Sequence, residues 1–99
     1  MIAIKIHRSY RSVVGVCDSS IIGKKFEEDI RQLELTEFFF RGEEMSHIEA
    51  VKIMRHQSKE DSTFNIVGRE SINAALEAGI ISEENIAKIQ NIPFALVLL

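Results

Sequence analysis

The sequence predicts an α+β fold: one small mixed sheet of about five strands, an N-terminal antiparallel hairpin plus a C-terminal strand–helix–helix–strand unit, with about three helices packed on it. Three observations predict it. The closing run at residues 92–99, "IPFALVLL", is apolar at every position, as in a strand covered on both faces. Near the other end Ile2, Ile4 and Ile6 alternate with Ala3, Lys5 and His7, the period of a strand with one face on the core. Between them Ile72, Ala75, Leu76 and Gly79 keep the i, i+3, i+4, i+7 spacing of one helix face. Ninety-nine residues make a single domain, 1–99.

Each element has a local reason. After the first strand, residues 8–11 form a turn. Residues 12–17 form a second strand, pairing antiparallel with the first, with Val13, Val14 and Val16 putting apolar groups on both its faces. Asp18 ends that strand and suits a short turn through Ser19, Ser20, Ile21 and Ile22. "GKKFEEDIR" reads as a charged excursion anchored by Phe26 and Ile30. Leu33, Leu35, Phe38, Phe39 and Phe40 supply a third strand, and Arg41, Gly42, Glu43 and Glu44 a loop. Ser46 and Glu49 form a capping box for a helix whose core stripe is Ile48, Val51 and Met54 and which ends near Gln57. "SKEDS" is an exposed loop.

Phe64, Ile66 and Val67 then make a strand that Gly68 stops. Gly79 closes the first helix of the unit. Ser82, Glu83 and Glu84 start the second, through Gln90, with Ile81 stapled onto Ile86. Two strands joined in this way are expected to run parallel, through a right-handed crossover. The first half of the chain then covers the opposite side of the sheet.

Composition bounds the function. Twelve basic and fifteen acidic side chains give a net charge of -3, so no overall polycation points to nucleic acid. The charge is nevertheless segregated: five bases and one acid over residues 1–25, two bases and eight acids over residues 26–49. The single cysteine has no partner for an internal disulfide, which fits a reducing cytoplasm. "MIAIKIHR" is too short for a signal-peptide core, and no apolar run approaches the roughly 20 residues of a membrane span. No cofactor motif is present.

The chemistry-bearing residues are few. Cys17 beside Asp18 has the look of a nucleophile with a partner, but a small buried hydrophobe is the simpler reading of Cys17. His7, His47 and His56 are too scattered for a metal site, and no Cys-x-x-Cys or His pair at i, i+4 exists. Gly68 and Arg69, between strand and helix, offer free amides to an anion, although the glycine is also what a tight turn needs. Gly23, Lys24 and Lys25 are the other candidate anion contact; near Gly68 and Arg69 in space they would make a phosphate or RNA-backbone site. The three phenylalanines at 38–40 suit core packing or a homodimer contact better than base stacking, because consecutive strand residues face opposite sides.

Two blocks carry a family resemblance. "VCDSSIIGKKF" matches a V-C-D-x-x-[LI]-[LI]-G-K pattern through Val16, Cys17, Asp18, Gly23 and Lys24. "NIVGRESINAALEAGIISEENIAKIQNIP" matches through Asn65, Val67, Gly68, Glu70, Ala75, Glu77, Gly79 and Pro93. Between them Glu37, Phe39, Gly42 and Glu43 follow an E-x-F-Y-x-G-E segment. The chain resembles the archaeal domain-of-unknown-function family 424 over nearly its whole length. The resemblance implies an intracellular α+β domain and brings no activity, cofactor or catalytic residue. Where family members close with G-V-P-H-A-Q, this chain has Asn91, Ile92, Pro93, Phe94, Ala95 and Leu96. Phe94 and Leu96 cannot perform any chemistry of that histidine and glutamine, which weakens an enzymatic reading.

Three functional expectations follow. The favoured one is a small binding module contacting RNA, a ribonucleoprotein or another protein. The second is a small-ligand protein or enzyme with Asp18, Gly23, Lys24, Glu43, Gly68 and Arg69 around one cleft. The third is a structural domain that dimerises through the strand at 38–40.

Overall fold

The computed structural model describes residues 1–98. The alternation at the N-terminus becomes β1 (Ile2–His7), and the valine-rich run becomes β2 (Val13–Asp18). They pair antiparallel as expected, with Ile4 opposite Val16. A single turn of 3-10 helix, Ser19–Ile21, follows. The charged excursion is an antiparallel ribbon of β3 (Lys25–Glu28) and β4 (Arg31–Glu34), turned by Asp29 at φ 57°. Ile30 at its tip is fully exposed, so of the two expected anchors only Phe26 packs inward.

The expected third strand is divided. After β4, residues 38–40 belong to a one-turn helix, α1 (Glu37–Phe40), whose first turn is capped by Thr36 Oγ1 accepting from Phe39 N–H at 3.2 Å. A strand would send adjacent phenylalanines to opposite faces. The helical turn instead sets Phe39 and Phe40 edge to face, 4.8 Å between ring centres, against the sheet and leaves Phe38 77% exposed.

Where a loop was expected, Glu43–Met45 forms a short edge strand, β5, antiparallel to β1 with Met45 opposite Ile2. Its charged residues suit an edge that must not recruit further strands. Helix α2 (His47–Lys59) starts at Ser46, whose Oγ accepts from Glu49 N–H at 3.3 Å. It buries Ala50, Val51, Met54 and Gln57. Ile48, expected in that stripe, is 65% exposed; at about 100° per residue it lies on the opposite side of the helix from the stripe centred on Ala50 and Met54. Of the expected polar loop, Ser58 and Lys59 extend α2 and Ser62 is buried, donating to Gln57 Oε1 at 2.9 Å.

Strand β6 (Thr63–Val67) lies parallel to β2, with Ile66 opposite Val16. Helix α3 (Arg69–Ala78) ends at Gly79 in the left-handed region (φ 77°), where Gly79 N–H and Ile80 N–H close onto Leu76 and Ala75 carbonyls. The second helix of the unit is not a helix. Only Glu83–Asn85 turns, as one turn of 3-10 helix with Asn85 Oδ1 accepting from Ser82 N–H at 2.8 Å. The chain then extends into β7 (Ala87–Ile89), reverses at Gln90 and Asn91, and returns as β8 (Ile92–Val97). Both turn residues hold positive φ, 49° and 64°, the signature of a two-residue hairpin turn.

That hairpin overturns the expected parallel pairing. β8 pairs antiparallel with β6, Ile66 opposite Ala95. The helix does return the chain in the direction of β6, but into β7, one position further out; β8 folds back between them. The sheet order is β5-β1-β2-β6-β8-β7, six strands rather than about five.

One face carries Ile2, Ile4, Val14, Val16, Phe64, Ile66 and Ala95 under α2 and α3. On the other, Ala3, Cys17 and Val67 meet Ile22, Leu35 and Phe40, brought over by the 3-10 turn, the β3–β4 ribbon and α1. The tail strand is interior in the plane of the sheet, as expected, but this second face covers only its start: Leu96 is 54% and Leu98 73% exposed. Leu99, included in the expected strand, lies outside the described residues.

Candidate functional site: a groove on the half-covered face

The strand-to-helix junction at Gly68 is occupied by the chain itself. Alternation along β2 points Asp18 to the helical face, where its buried carboxylate accepts from Glu70 N–H (3.2 Å), Ser71 N–H (2.8 Å) and Ser71 Oγ (2.7 Å). These are the free amides that begin α3, and a carboxylate is the charge that end of a helix attracts. Gly68 holds φ 108° and ψ 156°, a region essentially reserved for glycine. A Cβ there would lie 2.3 Å from the Asp18 carboxyl carbon. The glycine therefore makes room for Asp18, and the anion seat it opens is filled by a side chain 50 residues upstream (18 against 68).

The remaining residues singled out from the sequence lie on other segments or, for Arg69, at the next position of α3. Gly23 (φ 94°) and Lys24 knit the start of the ribbon: Gly23 N–H donates to Leu35 O at 2.6 Å, and Lys24 O accepts from Leu35 N–H at 3.0 Å. Glu43 is exposed on the outermost strand, opposite Ile4. Among the described residues, no hydrogen bond or ion pair joins Lys24 or Glu43 to Asp18. Arg69 follows Gly68 in the chain and lines a cleft on the α3 side with Asn73, Lys88, Asn91 and Pro93.

Cys17 is fully buried, and burial first, then the adjacent Asp18 carboxylate, pushes its thiol up to about 12. His7 is not its partner: β1 and β2 place Ala3 opposite Cys17 and His7 opposite Val13, at the far end of the hairpin. His7 instead stacks on Phe39 at 4.7 Å, and its Nε2 donates to the Phe39 carbonyl at 2.9 Å, which puts a proton on that nitrogen. His47 pairs with Glu77 (2.9 Å) rather than with the acids near it in sequence. Among the described residues, no group of three His, Cys, Asp or Glu side chains is placed to hold a metal ion.

A wide opening lies on the half-covered face, where neither the ribbon nor α1 reaches the outer part of β8. It is a groove of about 540 Å³ between Gln32, Leu33, Glu34, Leu35 and Thr36 on one side and Asn65, Phe94 and Leu96 on the other, closed at one end by Phe39. Packing holds that wall in place. Phe39 sits over Gly15, whose missing side chain is what admits it: a Cβ would meet Phe39 O at 2.7 Å and the ring at 3.1 Å. Lys5 Nζ donates to Phe38 O at 2.6 Å, and Arg41 binds Glu37 through two nitrogens (2.7 and 3.2 Å), holding the Glu37 carboxyl below the usual carboxylate range. The ribbon's other end is tied to the β7–β8 turn, where Gln90 N–H donates to Glu28 at 2.8 Å and Arg31 to Lys88 O at 3.2 Å.

Two features give this groove chemistry. Among the described residues β4 has one strand neighbour, β3, and its other edge pairs with no strand. Leu35 spends its backbone groups on the ribbon, bonding Gly23 and Lys24; the alternation of an antiparallel ladder then directs those of Gln32 and Glu34 outward. The floor is apolar apart from Asn65, which alternation sets on this face between Gly15 and Leu96. Glu34 is the one charged residue in the lining.

The comparisons with known proteins agree with this fold. The family described as "Protein of unknown function (DUF424)" matches residues 7–99. The chain belongs to that family. A crystal structure of an uncharacterized conserved protein from Methanopyrus kandleri superposes with a TM-score of 0.87 at 22% identity, covering 97% of this chain and 89% of that one. At that identity the likeness shows the fold alone. Among curated proteins, none matches. The DUF424 domain is thus an α+β domain with a mixed six-stranded sheet in this member, of unknown function.

The groove was not legible beforehand. Gln32 and Glu34 alternate with Leu33 and Leu35, which signals a ribbon with one face inward, and Asn65 is a polar residue set between Phe64 and Ile66 in a strand. Those two signals point to it only once β4 is known to lie over β6 and β8.

Proposed function

We propose that this DUF424 domain is a binding module that takes an extended segment of another polypeptide along the free edge of β4, over the floor of Asn65, Phe94 and Leu96. The observation that carries the reading is the juxtaposition of unpaired strand edge and apolar floor in one groove. Outward N–H and C=O groups supply main-chain hydrogen bonds to an added strand, and pockets for alternate side chains supply selectivity. Four residues of β4 match about 13 Å of extended chain. The segment favoured has apolar side chains at alternate positions and a basic residue facing Glu34.

RNA fits this groove poorly. A nucleic-acid strand brings a phosphate at every residue, and no Lys or Arg lines the groove. The reading places the domain in the cytoplasm, in keeping with its single cysteine.

The test is selection from a displayed library of short peptides, followed by titration of the selected peptide into the labelled domain. Peptides with alternating apolar residues should emerge, and Leu96→Glu should weaken them by about tenfold or more without lowering the melting temperature, since Leu96 is already half exposed. Selected peptides without that pattern, affinity unchanged in Leu96→Glu, or occupation of the groove by a ribo-oligonucleotide or a second copy of the chain would refute it.

A further inference from the structure

A second, chemically different cleft lies on the opposite side of the sheet, between α3 and the β7–β8 hairpin. It has a volume of about 310 Å³ and is lined by Arg69, Asn73, Lys88, Asn91 and Pro93. Arg69 and Asn73 are four apart on α3 and share one helix face. Lys88 stands opposite Pro93 in the β7–β8 register, so its side chain leaves the sheet on the side of Pro93. Asn91 is carried into the lining by the left-handed turn residue that reverses the hairpin.

The walls are fixed to one another: Gly68 N–H donates to Pro93 O at 2.8 Å, joining the start of α3 to β8. On the far side of the turn, Gln90 is bonded to Glu27 O (2.6 Å) and to Glu28 (2.8 Å).

The charge balance of this cleft is one-sided. Among the described residues, two cations and two carboxamides line it, and no carboxylate does. Among the described residues, none of the Arg69, Asn73, Lys88 and Asn91 side chains takes part in a hydrogen bond or ion pair. Two acids at the start of α3 are engaged elsewhere: Glu70 faces the N-terminal ammonium at 3.4 Å, and Asp18 is spent on the amides of α3.

We infer that this cleft binds a phosphate group, either inorganic phosphate or the phosphomonoester end of a small molecule. Arg69 offers a planar fork of donors suited to two phosphate oxygens, Lys88 a mobile point charge, and the amides of Asn73 and Asn91 neutral donors. The volume stands at the lower end of small-ligand pockets, room for a phosphate with a small organic body. The site is independent of the groove on the other face and would stand if the peptide reading fell.

Titration of the isotope-labelled domain with sodium phosphate, and separately with glycerol 3-phosphate, at constant ionic strength tests the assignment. Amide and side-chain shifts should centre on Arg69, Asn73, Lys88 and Asn91. Each of Arg69→Gln and Lys88→Gln should weaken binding about fivefold, the worth of one exposed ion pair, and the pair together should remove it. Lys24→Gln should leave it intact. Tighter binding of glycerol 3-phosphate would identify the ligand as a phosphomonoester, and equal binding as the free anion. All three variants replace exposed residues, and an unchanged spectrum outside the cleft confirms that they fold. Shifts centred on Lys24 and Lys25, binding that survives the double variant, or no shift with either probe would overturn the inference.

Discussion

Replacing Asp18 with alanine should unfold this domain more readily than any other single change at a polar residue. The carboxylate accepts three hydrogen bonds, two of them from Ser71, a residue with no exposed surface. Loss of a helix cap costs about 1–2 kcal/mol. Leaving the buried Ser71 donors without a partner adds about 1–3 kcal/mol. The sum, about 3 kcal/mol, corresponds in a domain of this size to a fall in melting temperature of about 15 °C. Gly68, the residue just before the helix, has no side chain to act as a substitute cap.

Asparagine at 18 keeps one acceptor oxygen, so Asp18→Asn should fall between the wild type and alanine. Thermal melts and urea titrations of the three proteins measure this directly, and Ser71→Ala supplies the control. Because Ser71 and Asp18 share bonds, the double variant should lose less than the two single losses added. A loss below about 0.5 kcal/mol for Asp18→Ala, the scatter of ordinary surface substitutions, would show that the carboxylate does not hold the start of α3.

Two further perturbations bear on the second face. Gly15→Ala drives a methyl group into the carbonyl and ring of Phe39, so α1 must lift; a loss of about 1–3 kcal/mol together with weakened peptide binding is the expected outcome in melts and titrations. Cys17 should resist alkylation in the native state and react at once in urea, as counted by mass spectrometry. Its folded thiol sits at about 12 against an ordinary 9.0, so the folded state keeps a proton that the unfolded chain releases. The stabilisation is complete below about pH 9 and is lost as pH rises toward 12. Urea midpoints should fall over that window, and less so in Cys17→Ala.

The parts of the fold legible in the sequence are those where one local signal decides. Period-two alternation located β1, the capping pair at Ser46 and Glu49 located α2, and Gly68 and Gly79 bounded α3. The failures came where a local pattern is ambiguous and tertiary geometry chooses. Residues 82–90 carry a helix-start signal at Ser82, but Asn85 satisfies it within one turn, and Gln90 and Asn91 then adopt left-handed angles that commit the chain to a hairpin. Three phenylalanines in a row look like strand and are a helical turn, because only the turn lets two of them share one wall.

The candidate site followed the same division. Gly68 and Arg69 stood out as a candidate anion junction beside the plainer reading of a tight turn, and no sequence rule announces that Asp18, from another strand, sits at the start of that helix. The groove and the α3 cleft each combine segments distant in the chain, so spacing alone carried no trace of them. Acceptance of an extended polypeptide on the edge of β4 has one most direct measurement: amide hydrogen exchange at Gln32 and Glu34 with and without a selected peptide. Both amides should exchange freely in the isolated domain and become protected on binding, while Leu33 and Leu35 change little. Exchange at Gln32 and Glu34 that stays fast in the saturated complex would mean that no strand is added there.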